Sequence, residues 1–242
     1  MHATAIDEYW AGFFGVPTAV LGDAGRHVVP HKGLTDYHGA WVFTHLQTVI
    51  VSVPRTLLDR VRHALDRGPW PQLAEEPEWR RIFGVPVAKV IGPAYDGFVR
   101  ATVVPKSPHA VRRLRPDDHF ALERLRACCV GDEWEHASID PQGREPVFGC
   151  FVDGELAGAA QNKPKTHAAV SPGIVTSPAW RRRGVGAAVL AAAVDDASKN
   201  QRLLLYQTLL SNLSAVRLGE SLGVVPYAEH VAYRFVATGS EG

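Results

Sequence analysis

Residues 174–190 constrain this chain more than any other stretch. An apolar run, Ile174 to Thr176, passes through Pro178 into the basic, glycine-bearing turn Arg181-Arg182-Arg183-Gly184-Val185-Gly186, and then into an alanine-rich run from Ala187. Physically this reads as a strand, a tight turn and a helix start. The opening N–H groups of a helix lack intrahelical partners and sit at the positive end of its dipole, so an anion placed there is held by donors and by charge. Gly184 and Gly186 remove Cβ atoms that would keep a pyrophosphate from the backbone, and the three arginines add positive charge. Ala187, Ala188 and Ala191 to Ala193 favour helix and let it approach a sheet closely. Dinucleotide and P-loop sites also use glycine turns, but no GxGxxG is spelled here and no Gly-Lys-Ser/Thr follows.

The elements around this segment have a readable order. A strand at Val111 to Leu114 precedes a helix at about Asp117 to Cys128. Strands at Val147 to Val152 and Leu156 to Asn162 flank Asp153-Gly154, a strong hairpin signal. After residues 174–190 come a strand at Leu203 to Thr208, a helix from Asn212 to Leu222 and strand material from Val224 to Val236. Before them, Pro105 and Pro108 bracket a polar stretch that sets the expected domain boundary, with an N-terminal α+β domain at 1–106 and a second domain at 107–242. In the first part, Trp41 to Phe43 and Thr48 to Val53 read as strands, and Pro54 opens a helix from Arg55 to Asp66. Arg67 to Trp79 reads as loop, and Lys89 to Ile91 and Gly97 to Val104 as strands.

Arg181-x-x-Gly184-x-Gly186, preceded by Pro178 and an apolar strand, resembles the acyl-CoA signature of the GNAT superfamily of N-acetyltransferases. About 26 residues on, Asn212-x-x-Ala215-x-x-Leu218-x-x-x-Leu222-Gly223 resembles that family's later helix and its Leu-Gly exit. The resemblance covers about Val111 to Phe235 and implies an α+β fold, a mixed, mostly antiparallel central sheet flanked by helices. It implies acetyl-CoA as cosubstrate, its pyrophosphate held by the backbone of Arg181, Arg182, Arg183, Gly184, Val185, Gly186 and Ala187. It further implies that the backbone of Ile174, Val175 and Thr176 bonds the pantetheine arm, and that Asn212 contacts CoA. Two departures stand out. Gly219 occupies the position where the family often has a tyrosine acid for the leaving thiolate, and Val224 the position of a usual phenylalanine. The strand-proline-helix order at Val49 to Pro54 echoes the same fold without its glycine turn, so a degenerate GNAT-like half is an expectation for the N-terminal domain.

Direct acyl transfer needs a deprotonated amine and a polarised thioester, and a single base with a raised pKa, or a water chain, suffices for the proton. The candidates are Asp132, Glu133, Glu135 and His136, in the segment after the first helix, with Glu133 put forward as catalytic, and His167, at the start of the strand that enters the turn. Exposed acids are common without any role, so a solvated loop is the competing reading for Glu133 and Glu135. Tyr233 offers a hydroxyl or simply packs. Arg112, Arg113 and Arg115 read as solvated faces. Cys128, Cys129 and Cys150 suit neither a disulfide framework nor a metal site, and His27, His31, His38 and His45 lack ligand spacing, so no metal is expected.

Lysine and arginine number 26 against 25 acids, a formal charge of +1. Nothing in that balance demands nucleic acid or a membrane, and the opening residues lack a basic then apolar leader, so a cytoplasmic protein is expected. The expected partner is a small-molecule amine, and the chain a monomer or homodimer. The leading expectation is an acetyl-CoA-dependent N-acetyltransferase. The alternatives are a CoA-binding sensor without turnover, which Gly219 favours, and a GNAT-fold enzyme using another acyl-CoA.

Overall fold

A computed structural model describes residues 2–34, 36–99 and 108–236. In chain order the elements are α1 (His2–Phe14), α2 (Ala19–Gly22), β1 (Gly25–Pro30), β2 (Gly39–His45), β3 (Thr48–Val53), α3 (Leu58–Asp66), α4 (Glu76–Phe83), β4 (Val87–Val99) and β5 (Val111–Arg113). There follow α5 (His119–Ala127), α6 (Glu133–Ala137), β6 (Val147–Val152), β7 (Glu155–Pro164), β8 (Ala169–Thr176), α7 (Val185–Lys199), β9 (Leu203–Leu209), α8 (Leu213–Ser221) and β10 (Val224–Phe235). The sequence reading assigns no element to the residues of α1. It also reads Arg67 to Trp79 as loop, whereas α4 begins at Glu76 with Pro77 in its first turn and closes on Gly84 at φ +63°. The proline and tryptophan content of that stretch hides a short apolar stripe, Trp79, Ile82 and Phe83, all buried at helical spacing. The two strands expected at Lys89 to Ile91 and Gly97 to Val104 are one strand, β4, as far as Val99; residues 100–107, with the expected boundary at Pro105, lie outside the described residues.

The chain forms two compact units. One comprises Met1–Asp96, Gln207–Leu213 and Pro226–Gly242, and the other Gly97–Tyr206 and Ser214–Val225. The units therefore do not coincide with the segments 1–106 and 107–242, because the chain passes from one to the other inside β4, β9 and β10 as well as at the start of α8.

In the first unit the strand order is β1-β3-β2-β10-β4, with the end of β9 beyond β4. β1 runs parallel to β3, β2 and β3 form an antiparallel hairpin, and β10 pairs antiparallel with β2 from Glu229↔Thr44 to Arg234↔Gly39. Val42, Val51, Val53, Val61, Leu65, Trp79, Phe83 and Phe235 join α3 and α4 to this sheet in one apolar core. Against Phe43 pack Trp10 and Phe14 of α1, with ring centroids 4.7 and 4.9 Å away. Strands β10 and β9 lie late in the sequence, yet they flank the early strand β4.

In the second unit β5, β6, β7 and β8 are antiparallel in sequence order, and β8 is parallel to β9. The β6–β7 turn is the expected Asp153-Gly154 pair, both with positive φ, 50° and 81°. A bulge follows at once, where Cys150 pairs with Gly158 but Phe151 with Leu156. The extra residue, Ala157, changes which face each side chain takes. Leu156 and Ala159 thereby pack with α5 and α6, whereas Ala157 and Ala160 pack with Val185, Val189 and Ala193 of α7. Small side chains on both sides let α7 lie close on the strands. The fold is thus α+β, with mixed, mostly antiparallel strands flanked by helices.

Candidate functional site

The site begins where β8 loses a neighbour. One edge of β8 pairs with β7 all the way to Thr176, but the other pairs with β9 only at Ala169↔Leu203 and Val170↔Leu204. Past Val170 the backbone of β8, including Ile174, Val175 and Thr176, has that edge open. An extended chain carrying amide groups can bond such an edge as an added strand would.

The open strand leads through Pro178–Trp180, a single 3₁₀ turn, to the arginines. Arg182 has φ +60° and Gly184 φ +85°, so the backbone winds through two left-handed residues before α7. At Gly184, the N-cap, glycine takes this conformation without strain and supplies no capping side chain, so none competes for the first N–H groups of α7. The first intrahelical bond runs from Ala188 N–H to Gly184 O at 2.9 Å. The N–H groups of Val185, Gly186 and Ala187 precede it and are the donors an anion would meet. Gly186 has a packing reason as well: a Cβ there would lie 3.2 Å from Thr176 Oγ1, so the end of β8 and the first turn of α7 meet at the width of a glycine.

The three arginines are not equivalent. Arg181 donates from Nη2 to both carboxylate oxygens of Glu133 at 2.7 Å and from Nε to Thr176 O at 3.3 Å. Arg183 lays its guanidinium over the Trp180 ring, 5.0 Å from its centroid, and its carbonyl is 2.6 Å from His109 Nε2. Arg182 is exposed. His109, which the sequence reading did not single out, thus buttresses the turn; nothing in its own sequence neighbourhood signals that contact.

The candidate bases differ in their surroundings. Glu133 accepts from Val130 N–H at 3.0 Å in addition to Arg181, and these donors, the backbone one foremost, hold its carboxyl below the usual carboxylate range. A carboxylate so satisfied is a poor proton acceptor at neutral pH, and its geometry ties α6 to the turn. His167 is exposed in the β7–β8 connection, on a different element from Glu133. Asn212 immediately precedes α8 and belongs to the first unit, unlike the turn; its N–H donates to Leu209 O at 2.9 Å.

Two tyrosines have defined surroundings. Tyr233 is fully buried, packed on Phe83 at 5.1 Å between ring centroids, and burial pushes its hydroxyl well above the usual phenol range. It is part of the apolar core of its unit. Beside Gly219 stands Tyr206 of β9: a Cβ on Gly219 would fall 2.8 Å from Tyr206 Cε1, and the phenol donates to Ala215 O at 2.7 Å. The space next to the helix glycine is therefore filled by a phenol from a strand. Arg112 is not a free surface cation, since it holds both oxygens of Asp118 at 2.7 Å. All three cysteines are free thiols, and Cys150 is buried in the core. Among the described residues no three His, Cys, Asp or Glu side chains group as metal ligands, and no helix is long and apolar enough to cross a membrane.

The site is thus an open strand edge of a mixed α+β sheet, leading through a basic glycine turn to a helix start. Residues 109–224 match the acetyltransferase (GNAT) family. A GNAT-family acetyltransferase from Colwellia psychrerythraea is similar in fold, with a TM-score of 0.52 at 14% identity over 67% of this chain and 63% of that one. A GNAT-family protein from Novosphingobium aromaticivorans shares 21% identity over 62% of this chain and 66% of its own, with a TM-score of 0.47. A Salmonella typhimurium protein solved with its cofactor acetyl-CoA shares 16% over 56% of this chain and 99% of its own, at a TM-score of 0.41. The chain spans just under two thirds of the length of the first two. No curated protein matches it.

Proposed function

We propose that the protein is an N-acetyltransferase that moves an acetyl group from acetyl-CoA to the amine of a small molecule in one direct step. The observation that carries this reading is the open edge of β8 continuing into the unclaimed N–H donors of Val185, Gly186 and Ala187. An edge of amide donors and acceptors suits the pantetheine arm, and the turn with Arg181 to Arg183 suits the diphosphate, so these residues fit the coenzyme. Bound there, acetyl-CoA supplies an activated thioester. The chain's part is to fix its arm and phosphates, so that attack by an amine becomes effectively unimolecular. Direct transfer is favoured over a cysteine intermediate because Cys150 is sealed in the core, and burial pushes the thiols of both Cys129 and Cys150 up, away from the reactive thiolate form.

The test is calorimetric titration with acetyl-CoA of the wild type and of Gly186→Glu, with circular dichroism confirming that both are folded. Glutamate places a side chain against Thr176 and a negative charge at the donors, so binding by the wild type should be lost in the variant. A folded wild type that does not bind acetyl-CoA would overturn the reading. Binding is followed by a screen for thiol release with primary amines.

A further inference from the structure

One amine of the second unit is set apart from the solvated lysines. Lys163 on β7 is half-buried, and its stem crosses onto the neighbouring strand β8, where its Cε lies 2.8 Å from the place a Cβ on Gly173 would take. The carbonyl of Ala137, at the end of α6, meets the same point, so a glycine leaves the room that the lysine stem and the helix end share. Nζ donates to His136 O at 3.3 Å, its one hydrogen bond among the described residues. α6 also carries Glu133 and Glu135, yet Glu133 is spent on Arg181, and among the described residues no carboxylate forms an ion pair with Lys163. Lys163, Gly173 and α6 belong to the same unit as the glycine turn.

Burial brings the ammonium of Lys163 down to about 8, and the positive charge of Lys165 adds to the effect. Lys199 on α7 provides the contrast: exposed, it donates to Asp195 at 2.6 Å, and that bond moves its ammonium up. At about pH 7.5 roughly a quarter of Lys163 is neutral, against about a thousandth of an ordinary lysine. A neutral primary amine with no acid beside it is a nucleophile. Its place along β8 meets the other requirement. The diphosphate belongs at the turn, so an arm bonded to the open edge runs from Thr176 back toward the start of β8. Three residues, about 10 Å, bring that arm level with Gly173, and an added strand lies about 4.8 Å from its neighbour. The acyl end thus comes to the part of β8 that the Lys163 stem crosses.

Resting on the acetyltransferase reading, we propose that Lys163 is a self-acetylation site, its amine taking the acetyl group from acetyl-CoA held by the same molecule when no acceptor amine is present. Neutral Nζ forms a bond to the thioester carbonyl carbon and gives its surplus proton to water. The C–S bond breaks, the sulfur leaves with the bonding pair and takes a proton from water, and the products are acetyl-lysine and free CoA thiol. The amide N–H that remains on Nζ still serves His136 O, while the positive charge is gone.

The full chain is incubated with saturating, isotopically labelled acetyl-CoA and no amine, and the acetyl-lysines are read by peptide mass spectrometry; calorimetry on the same preparation reports coenzyme binding. At about pH 7.5 label should enter Lys163 at least about 10-fold faster than Lys165 or Lys199, the direction set by their neutral fractions. The rate should be first-order and independent of protein concentration, and it should rise with pH and level off above about 8. In Gly186→Glu, shown to be folded by circular dichroism, the preference for Lys163 should disappear. A wild type that binds acetyl-CoA but labels Lys163 no faster than the other two lysines, or at a rate that grows with protein concentration, overturns the proposal and leaves the coenzyme site standing. If the folded wild type does not bind acetyl-CoA, the transferase reading fails and the proposal falls with it.

Discussion

Gly219 is the residue at which the chain departs most plainly from the family it resembles, and the departure has a physical partner. The Tyr206 ring lies so close to the helix backbone that a Cβ at 219 would approach Cε1 at 2.8 Å and Cδ1 at 3.1 Å. Glycine and the strand tyrosine are therefore one packing decision written at two positions. Gly219→Ala should lose about 1–3 kcal/mol of stability in urea unfolding, the usual cost of overpacking. Adding Tyr206→Val should recover part of that loss, whereas an additive double variant would show that the ring does not sit on the glycine. The same logic applies at Glu133: its spacing and charge are visible in the sequence, but not the donors that claim its oxygens.

At the scale of elements, α7 is secured at its end as well as its start. Arg202, just before β9, donates to both oxygens of Glu145 at 2.6 and 2.8 Å and lies 3.3 Å from Asp196 of α7, all three side chains being largely buried. Gln161 of β7 holds the same loop by accepting from Asp140 N–H and donating to the carbonyls of Asp140 and Glu145. The guanidinium of Arg202 keeps the Glu145 carboxyl below its usual range. A lowered folded value means that the stabilisation is complete above the unfolded value, about 4.3, and is lost as pH falls through the folded one. Arg202→Leu should therefore cost about 2 kcal/mol at neutral pH, between the values for exposed and fully buried pairs. It should also make stability less steep with acid below about pH 5. A thermal-unfolding series against pH checks both, and an unchanged slope would mean that Glu145 is not the group titrating.

At the scale of the whole molecule, the chain is interleaved. In the first unit β4 lies between β10 and the end of β9, so an early strand is flanked by two late ones. A fragment spanning 108–242 lacks β4 and leaves the facing edges of β9 and β10 without their partner. Expressed alone it should aggregate or remain unfolded, and co-expression with 1–99 should restore a soluble complex that survives size-exclusion chromatography. A well-folded, monomeric 108–242 would show that the later strands close without the early one.

The local features were legible because they follow from neighbours in the chain. The Asp153-Gly154 hairpin, the strand, basic turn and helix from Ile174 onward, the succession of elements from Val111 on, and the burial of Cys150 all rest on turn chemistry and hydrophobic period. The missed helices show the limit of that reading: a stripe of three apolar residues in α4, crossed by proline and tryptophan, carries too little periodic signal. What only the tertiary structure decided are the relations between distant residues. The pairing of β10 with β2, the place of β4, the Tyr206 ring beside Gly219, His109 behind Arg183, and the bond from Asp96 to His230 across 134 positions arise from packing and burial. Period and propensity describe how a segment meets a surface, but they carry no information about which distant segment supplies it.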